Sequence, residues 1–301
     1  MPARVRHRRE AVDGGRLRNY IAAMELTFTK LHGCGNDYLF VDCTAGPLAN
    51  AAEISRVVSD RRKGVGSDGL ILICPSEAAD FRMEMYNADG SRGMMCGNGI
   101  RGVGKYVFDR GLTRKDAIDV ETDSGVKRLE LEHRGGSVER VRVEMGEAIL
   151  DGRSIPVDAD GRVVDRELEV AGRVWRVTCV SMGNPHCVTF DVDPASIDDI
   201  EKLGPQFEHH PFFPQRVNTE FVRVNSRTDL RMRVWERGSG ETAACGTGAC
   251  AVVVAAVLTG RSERRAIVHL NGGDLEIEYR DDGTVVMTGP TVEVFTGTIH
   301  L

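Results

Sequence analysis

Apolar and polar residues alternate along much of the chain in short runs. FRMEMYN and LRMRVWE alternate clearly, and AIDVET, RLELEH, RVRVEMG, IVHLNG, LEIEYR and TVVMTG carry the same pattern between turn-forming residues. A period of two predicts strands with one buried face, many of them in hairpins. Two stretches carry a helical pattern instead. ACAVVVAAVLTG, residues 249–260, is apolar all round, which predicts a helix with no solvent face, enclosed by sheet. IRGVGKYVFDRG, from Ile100, predicts a second helix whose two interior glycines each cost about 1 kcal/mol in helix propensity. Close packing against neighbours would offset that cost.

The same series of elements occurs twice. MEMYNADGSRGMMCGNG, from Met83 to Gly99, lies over MRVWERGSGETAACGTG, from Met232 to Gly248, without a gap at an offset of 149 residues. Tyr86 then matches Trp235, Cys96 matches Cys245, and Gly97 and Gly99 match Gly246 and Gly248. Gly35-Asn36-Asp37 and Gly183-Asn184-Pro185 repeat in similar apolar contexts at an offset of 148. So long a period points to duplication of a whole domain, not to a solenoid. The expected fold is α/β (α+β), with two similar domains. Each is a mixed, largely antiparallel sheet or barrel wrapped around a central helix, and the site lies in the cleft between them. The switch falls near Met145, giving one domain of residues 24–144 and another of 145–290. The last strand, about 291–301, is assigned to the first domain.

Composition narrows the function. At 301 residues, 41% hydrophobic and with a formal net charge of −6, the chain can build sizeable cores and has no overall basic field. It therefore expects a small-molecule substrate, with no nucleic-acid or membrane partner. Residues 1–23 hold six arginines and little apolar periodicity, and read as a disordered tail or a misplaced start codon. Eight cysteines without a C-x-x-C pair exclude the usual zinc and thioredoxin spacings and suit a reducing, cytoplasmic setting, with no metal expected.

Cys96 and Cys245 each precede a Gly-x-Gly turn that opens a helix. There, free backbone N–H groups and the positive dipole end favour an anion and lower a thiol pKa. Two such thiols at equivalent points of two domains, facing one cleft, suit inversion of a stereocentre. One thiolate takes a proton from one face of an α-carbon, and the opposite thiol delivers a proton to the other face. The other six cysteines read as small core fillers. Asn36, Asn87, Asn184, Asn218, Glu236 and Arg237 are polar groups suited to an amino acid: asparagine serves ammonium and carboxylate alike, Arg237 can clamp a carboxylate, and Glu236 can accept from an ammonium. Asparagine in Gly-Asn turns equally fits left-handed backbone geometry. His186 is a supporting candidate only. Two G-x-G-x-x-G matches, at Gly64 and Gly97, lack the strand-then-helix context of a dinucleotide site.

Together, HGCGNDYLFVD, GVGSDG, YNADGSRGMMCGNGIRG, MGNPH, VNTEF and WERGSGETAACGTGACA resemble the diaminopimelate epimerase family from about Met24 through Leu301. The resemblance implies interconversion of LL- and meso-diaminopimelate, for lysine and peptidoglycan synthesis, by two similar domains closing over the substrate. It implies no pyridoxal phosphate or metal, and a homodimer. By motif, Cys96 and Cys245 would be the catalytic pair, with Gly97, Asn98, Gly246 and Thr247 holding the reacting carboxylate through their amides. Asn36, Asn87, Asn184, Asn218, Glu236 and Arg237 would make the remaining contacts. Gly69 departs from the pattern, since many relatives carry glutamine there. Rival readings are a proline, hydroxyproline or single-amino-acid racemase, a thiol-redox or zinc-binding regulator, and an inactive amino-acid-binding module. The CGNG motif argues against the proline group, for which CGH is expected.

Overall fold

A computed structural model of the protein describes residues 24–301; the arginine-rich segment 1–23 lies outside the described residues. The first half runs β1 (Glu25–Gly33), β2 (Asn36–Asp42), α1 (Ala51–Ser59), β3 (Gly69–Cys74), β4 (Phe81–Asn87), β5 (Arg92–Gly93), α2 (Gly97–Asp109), β6 (Ala117–Thr122), β7 (Gly125–Arg134) and β8 (Ser137–Glu147). The second half runs β9 (Arg166–Val170), β10 (Arg173–Ser181), β11 (Pro185–Thr189), α3 (Ile200–Glu208), β12 (Asn218–Ser226), β13 (Asp229–Glu236), β14 (Gly240–Glu241), α4 (Gly246–Leu258), β15 (Arg265–Leu270), β16 (Gly273–Tyr279) and β17 (Thr284–Pro290). A last strand, β18 (Val292–His300), follows.

The halves share one topology. In the first, β1–β2 is antiparallel, β2–β3 parallel, β3–β4 antiparallel, β4–β6 parallel, and β6–β7–β8 antiparallel. The second repeats this order, with β10–β11 antiparallel, β11–β12 parallel, β12–β13 antiparallel, β13–β15 parallel, and β15–β16–β17 antiparallel. Three antiparallel pairings complete the arrangement: β18 lies on β1, as β9 lies on β10, and β8 pairs with β17. The β8–β17 ladder joins the two halves through their equivalent last strands.

Each half wraps its sheet around the helix that follows its cysteine. From Ala249 to Ala256, α4 is wholly buried, as a helix without a polar face must be. Helix α2 is enclosed as closely. A Cβ added at Gly102 would stand 2.4 Å from the Phe40 ring, and one at Gly104 would stand 2.8 Å from Leu131. The absent side chains thus let the sheet approach the helix backbone, which explains the glycines in a helix interior. Helices α1 and α3, nine residues each, cover the outer faces and bury Ile54 and Val58, and Ile200 and Phe207. They are additional to the one helix per half expected from sequence. Both are too short for a strong periodic signal, and Pro205 inside α3 argues locally against a helix. Among the described residues no helix is long and apolar enough to cross a membrane.

Gly102→Ala should destabilise the protein by about 1–3 kcal/mol through overpacking on Phe40. Gly46→Ala, with no atom within 4 Å of the added carbon, should change stability by less than about 0.5 kcal/mol. Urea midpoints measured side by side check the contrast.

Candidate functional site

Cys96 is the N-cap of α2 and Cys245 the N-cap of α4, both with extended backbone, so each sulfur projects at a helix start. Cys96 Sγ accepts from the Gly99 N–H at 3.4 Å and donates to Asn36 Oδ1 at 3.2 Å. Asn36 opens β2 after a turn through Cys34 and Gly35, whose φ angles are 54° and 85°, and its Nδ2 donates to Asp68 Oδ2 at 2.6 Å. The buried Tyr38 also lies beside the Cys96 side chain. Asn98 then crosses between the halves, its Nδ2 donating to Asn36 Oδ1 at 3.4 Å and to the carbonyl of Ala244, beside Cys245, at 3.3 Å.

On the other side, Cys245 Sγ contacts Thr247 Oγ1 at 3.5 Å and faces the Glu236 carboxylate, which accepts from the Thr242 hydroxyl. Behind it lies a fully buried pair. His186 Nδ1 is 2.6 Å from Glu220 Oε1, and His186 Nε2 is 3.1 Å from Asn184 Oδ1. Glu220 Oε2 is buried without a partner among the described residues. Oε1 presses on the first turn of α4 so closely that a Cβ at Gly248 would be 2.7 Å from it. That contact gives the second glycine of the Gly-x-Gly turn a steric reason.

Gly97 and Gly246 are buried at the two helix starts, both against Met287 of β17, with Met145 of β8 also touching Gly97. The structure therefore gathers Cys96, Asn36, Asn98 and Gly97 next to the segment carrying Cys245, Gly246, Thr247 and Glu236. Asn184 and His186 stand behind Glu220. Three candidates sit at strand ends with local partners. Asn87 Nδ2 donates to Ser91 Oγ at 2.9 Å, Asn218 Oδ1 accepts from the Arg237 N–H at 2.9 Å, and Arg237 Nη1 donates to the Gln215 carbonyl at 2.9 Å. The Arg237 guanidinium forms no ion pair among the described residues and retains donors for a carboxylate.

The expectation of lowered thiol pKa values is corrected. Burial pushes the Cys96 thiol up from its ordinary value, and the Gly99 and Asn98 amides, Tyr38 and Arg101 only partly counter it. Cys245 is pushed well up, first by burial and then by the Glu236 and Glu220 carboxylates. A helix start lowers a thiol pKa when solvent helps to hold the charge. Here Cys245 is buried and Cys96 partly so, and desolvation exceeds the gain from the amides. Burial likewise raises the Glu236 carboxyl.

Sequence reasoning passed over Tyr38, Glu220 and Arg101. A lone glutamate in the otherwise uncharged strand segment NTEFV was the available signal for Glu220, since buried charges are rare and partnered. Gly69 has a steric explanation: a Cβ there would lie 2.2 Å from the Tyr86 carbonyl oxygen, so the β4 backbone occupies the space of any side chain. The neighbouring Asp68 is committed to Asn36 and Arg61. Among the described residues no group of three or more His, Cys, Asp or Glu is arranged to hold a metal ion.

Comparison with known proteins places these motifs. The family model described as diaminopimelate epimerase matches residues 28–150 and 178–294. A diaminopimelate epimerase of Acetivibrio thermocellus is 56% identical over 278 residues, covering 92% of this chain and 99% of the relative. One of Methanococcus maripaludis is 50% identical over 278 residues, covering 92% and 100%. Among solved structures, a hydroxyproline epimerase from Agrobacterium vitis superposes with a TM-score of 0.65 at 13% identity, covering 92% of this chain and 93% of that one. A Bacillus anthracis phenazine biosynthesis protein of the PhzF family gives 0.67 at 15% identity, covering 92% and 100%. At such identities these two share the fold.

His186→Ala removes the hydrogen-bond partner of the fully buried Glu220 Oε1, and should cost about 1–3 kcal/mol of stability. Urea unfolding measures it; an unchanged midpoint would mean that this buried hydrogen bond does not form in solution.

Proposed function

The chain belongs to the diaminopimelate epimerase family, and from that premise we propose that Cys96 and Cys245 are the two groups that exchange protons with one α-carbon of LL- or meso-diaminopimelate. The enzyme is an isomerase acting on diaminopimelate. The observation that carries the two-thiol reading is that both cysteines cap the buried central helices of duplicated halves and are linked across the join by Asn98.

In this reading one sulfur, as thiolate, removes the α-proton. The Cα–H bond breaks, and its electron pair spreads into the adjacent carboxylate. The amides of Gly97 and Asn98 and of Gly246 and Thr247, at two helix starts, hold that carboxylate as its charge grows. The opposite S–H bond then breaks to deliver its proton to the other face of the carbon. Every proton moved is held by a side chain of the chain itself, so the reading calls for no cofactor. Asn36, Asn87, Asn184, Asn218, Glu236 and Arg237 orient the rest of the substrate, including the distal amino-acid end. Directional contacts there reject the wrong diastereomer, because mispaired buried groups are penalised. His186 supports Asn184 from behind.

The reading divides the chain into domains of residues 24–144 with 291–301, and 145–290. The pairing of β18 with β1 supports returning the last strand to the first domain. It also includes a homodimer in the cytoplasm. The exposed Val292, Val294 and Phe295 on β18 support an interface, and the eight unpaired cysteines fit a reducing compartment.

Incubation with LL-diaminopimelate in deuterated water, with no added cofactor, should yield meso product carrying deuterium at the inverted carbon. Cys96→Ala and Cys245→Ala should each lower epimerisation by at least about 10²-fold. Full activity in either variant would remove that sulfur from the mechanism, and exchange of another amino acid in place of diaminopimelate would overturn the substrate. The pH profile of kcat/KM should be bell-shaped, because one sulfur must be ionised and the other protonated. Loss of the second proton forms the alkaline limb. That limb should lie above the ordinary thiol range, since burial raises both groups.

A further inference from the structure

Superposing the halves by their common topology shows that duplication preserved the thiols and not their surroundings. The equivalence is set by register: Tyr38 pairs with Gly69 in β2–β3 as His186 pairs with Asn218 in β11–β12. At the 149-residue offset, Ile71 then corresponds to Glu220, Asn87 to Glu236, and Arg101 to Cys250. Side-chain positions agree with this. Ile71 Cδ1 lies 2.6 Å from the place of a Cβ on Gly99, and Glu220 Oε1 lies 2.7 Å from the equivalent place on Gly248. Where the Cys245 half has two carboxylates, the Cys96 half has an isoleucine and an asparagine. Where the Cys96 half has an arginine, the other has a neutral cysteine.

Arg101 is fully buried and forms no ion pair among the described residues. Its guanidinium is held by neutral groups. Nε donates to the Pro290 carbonyl at 3.2 Å, Nη1 to the Gly97 carbonyl at 3.1 Å, and Nη2 to Asn98 Oδ1 at 3.0 Å, with the Met287 and Cys34 sulfurs at 3.6 and 3.9 Å. A buried cation without an anion is costly, and the ionisable groups facing this one are thiols: Cys34, Cys96 and Cys250. Of these only Cys96 caps a helix, with amides directed at its sulfur. Tyr38 faces Cys96 from β2, and the carboxylate on that side, Asp68, is tied to Arg61 and Asn36. Around Cys245 stand Glu236 from β13, Glu220 from β12 with its His186 partner from β11, and Thr247 from α4.

We propose that Arg101 is a positioning residue that makes the two thiols unequal, so that the resting enzyme carries its thiolate on Cys96 and its proton on Cys245. The inference rests on the two-thiol reading above and adds direction to it. An enzyme at rest in this form removes a proton with Cys96 and donates the proton of Cys245. It finishes with a proton on Cys96 and a thiolate on Cys245. Before a second turnover in the same direction, Cys96 must release one proton to water and Cys245 must take one up.

Iodoacetamide alkylation followed by peptide mass spectrometry gives a pH midpoint for each cysteine, and midpoints report ionisation independently of how accessible each sulfur is. In the wild-type enzyme the Cys96 midpoint should lie below that of Cys245. Arg101→Met should raise the Cys96 midpoint by about one unit, or about tenfold less thiolate at a fixed lower pH, and leave that of Cys245 in place. Arg101→Lys, which keeps the charge and loses the fork of hydrogen bonds, should return it toward wild type. Glu220→Gln should lower the Cys245 midpoint alone. A Cys245 midpoint at or below that of Cys96 in the wild type overturns the proposal, as does an unchanged Cys96 midpoint in folded Arg101→Met. If Arg101→Met does not fold, the wild-type and Glu220→Gln midpoints decide it. Equal midpoints in an enzyme that epimerises diaminopimelate defeat this inference alone, whereas absent epimerisation defeats the function reading while the midpoints stay readable.

Discussion

A buried helix start leaves N–H groups that need partners, and this protein buries two such starts next to one another. Much of the structure around the join follows from that constraint. The N-cap sulfur of Cys96 takes one of these donors, from Gly99. Gly97 and Gly246 carry no side chain because Met287 lies against both backbones. Asn98, held by Arg101, reaches across to the segment before Cys245. The β8–β17 ladder sets the separation of the two helices, and the closed sheets around α2 and α4 keep their ends in place.

The same enclosure sets the electrostatics. Sulfurs at helix starts open to water would ionise more readily than free cysteine, whereas here desolvation outweighs the helix ends and both thiols are raised. The amide donors at the two helix starts are already oriented, which is the arrangement that favours charge developing on an anion held there. The two halves share a topology but not the side chains around their sulfurs: Glu236, Glu220 and Cys250 stand where the other half has Asn87, Ile71 and Arg101.

Much of the site was legible from local chemistry. The repeat aligns Cys96 with Cys245 without a gap, and glycine beside each signals backbone too crowded for a side chain. The uniformly apolar residues 249–260 required a position inside a sheet, and α4 occupies one. Less legible were α1 and α3, whose nine residues make only about two and a half turns, and the burial of Arg101 and Glu220, whose charge reads locally as solvent-facing. The sign of the thiol shifts was also beyond local reasoning, because it depends on how completely atoms distant in the chain surround each sulfur.

Sequence alone determined about half of the strands and both central helices, that the chain is a duplicated pair, and which two sulfurs sit at helix starts. Those properties are carried by periodicity and by neighbours within a few positions. Only the tertiary structure decided what faces each sulfur: Asn36 and Tyr38 from β2, Glu236 from β13, Ala244 reached by Asn98, and the uneven pair of Arg101 and Glu220. These contacts join residues up to 146 positions apart. The strength of a charge interaction is set by distance and desolvation in three dimensions, and neither is encoded in any single stretch of chain.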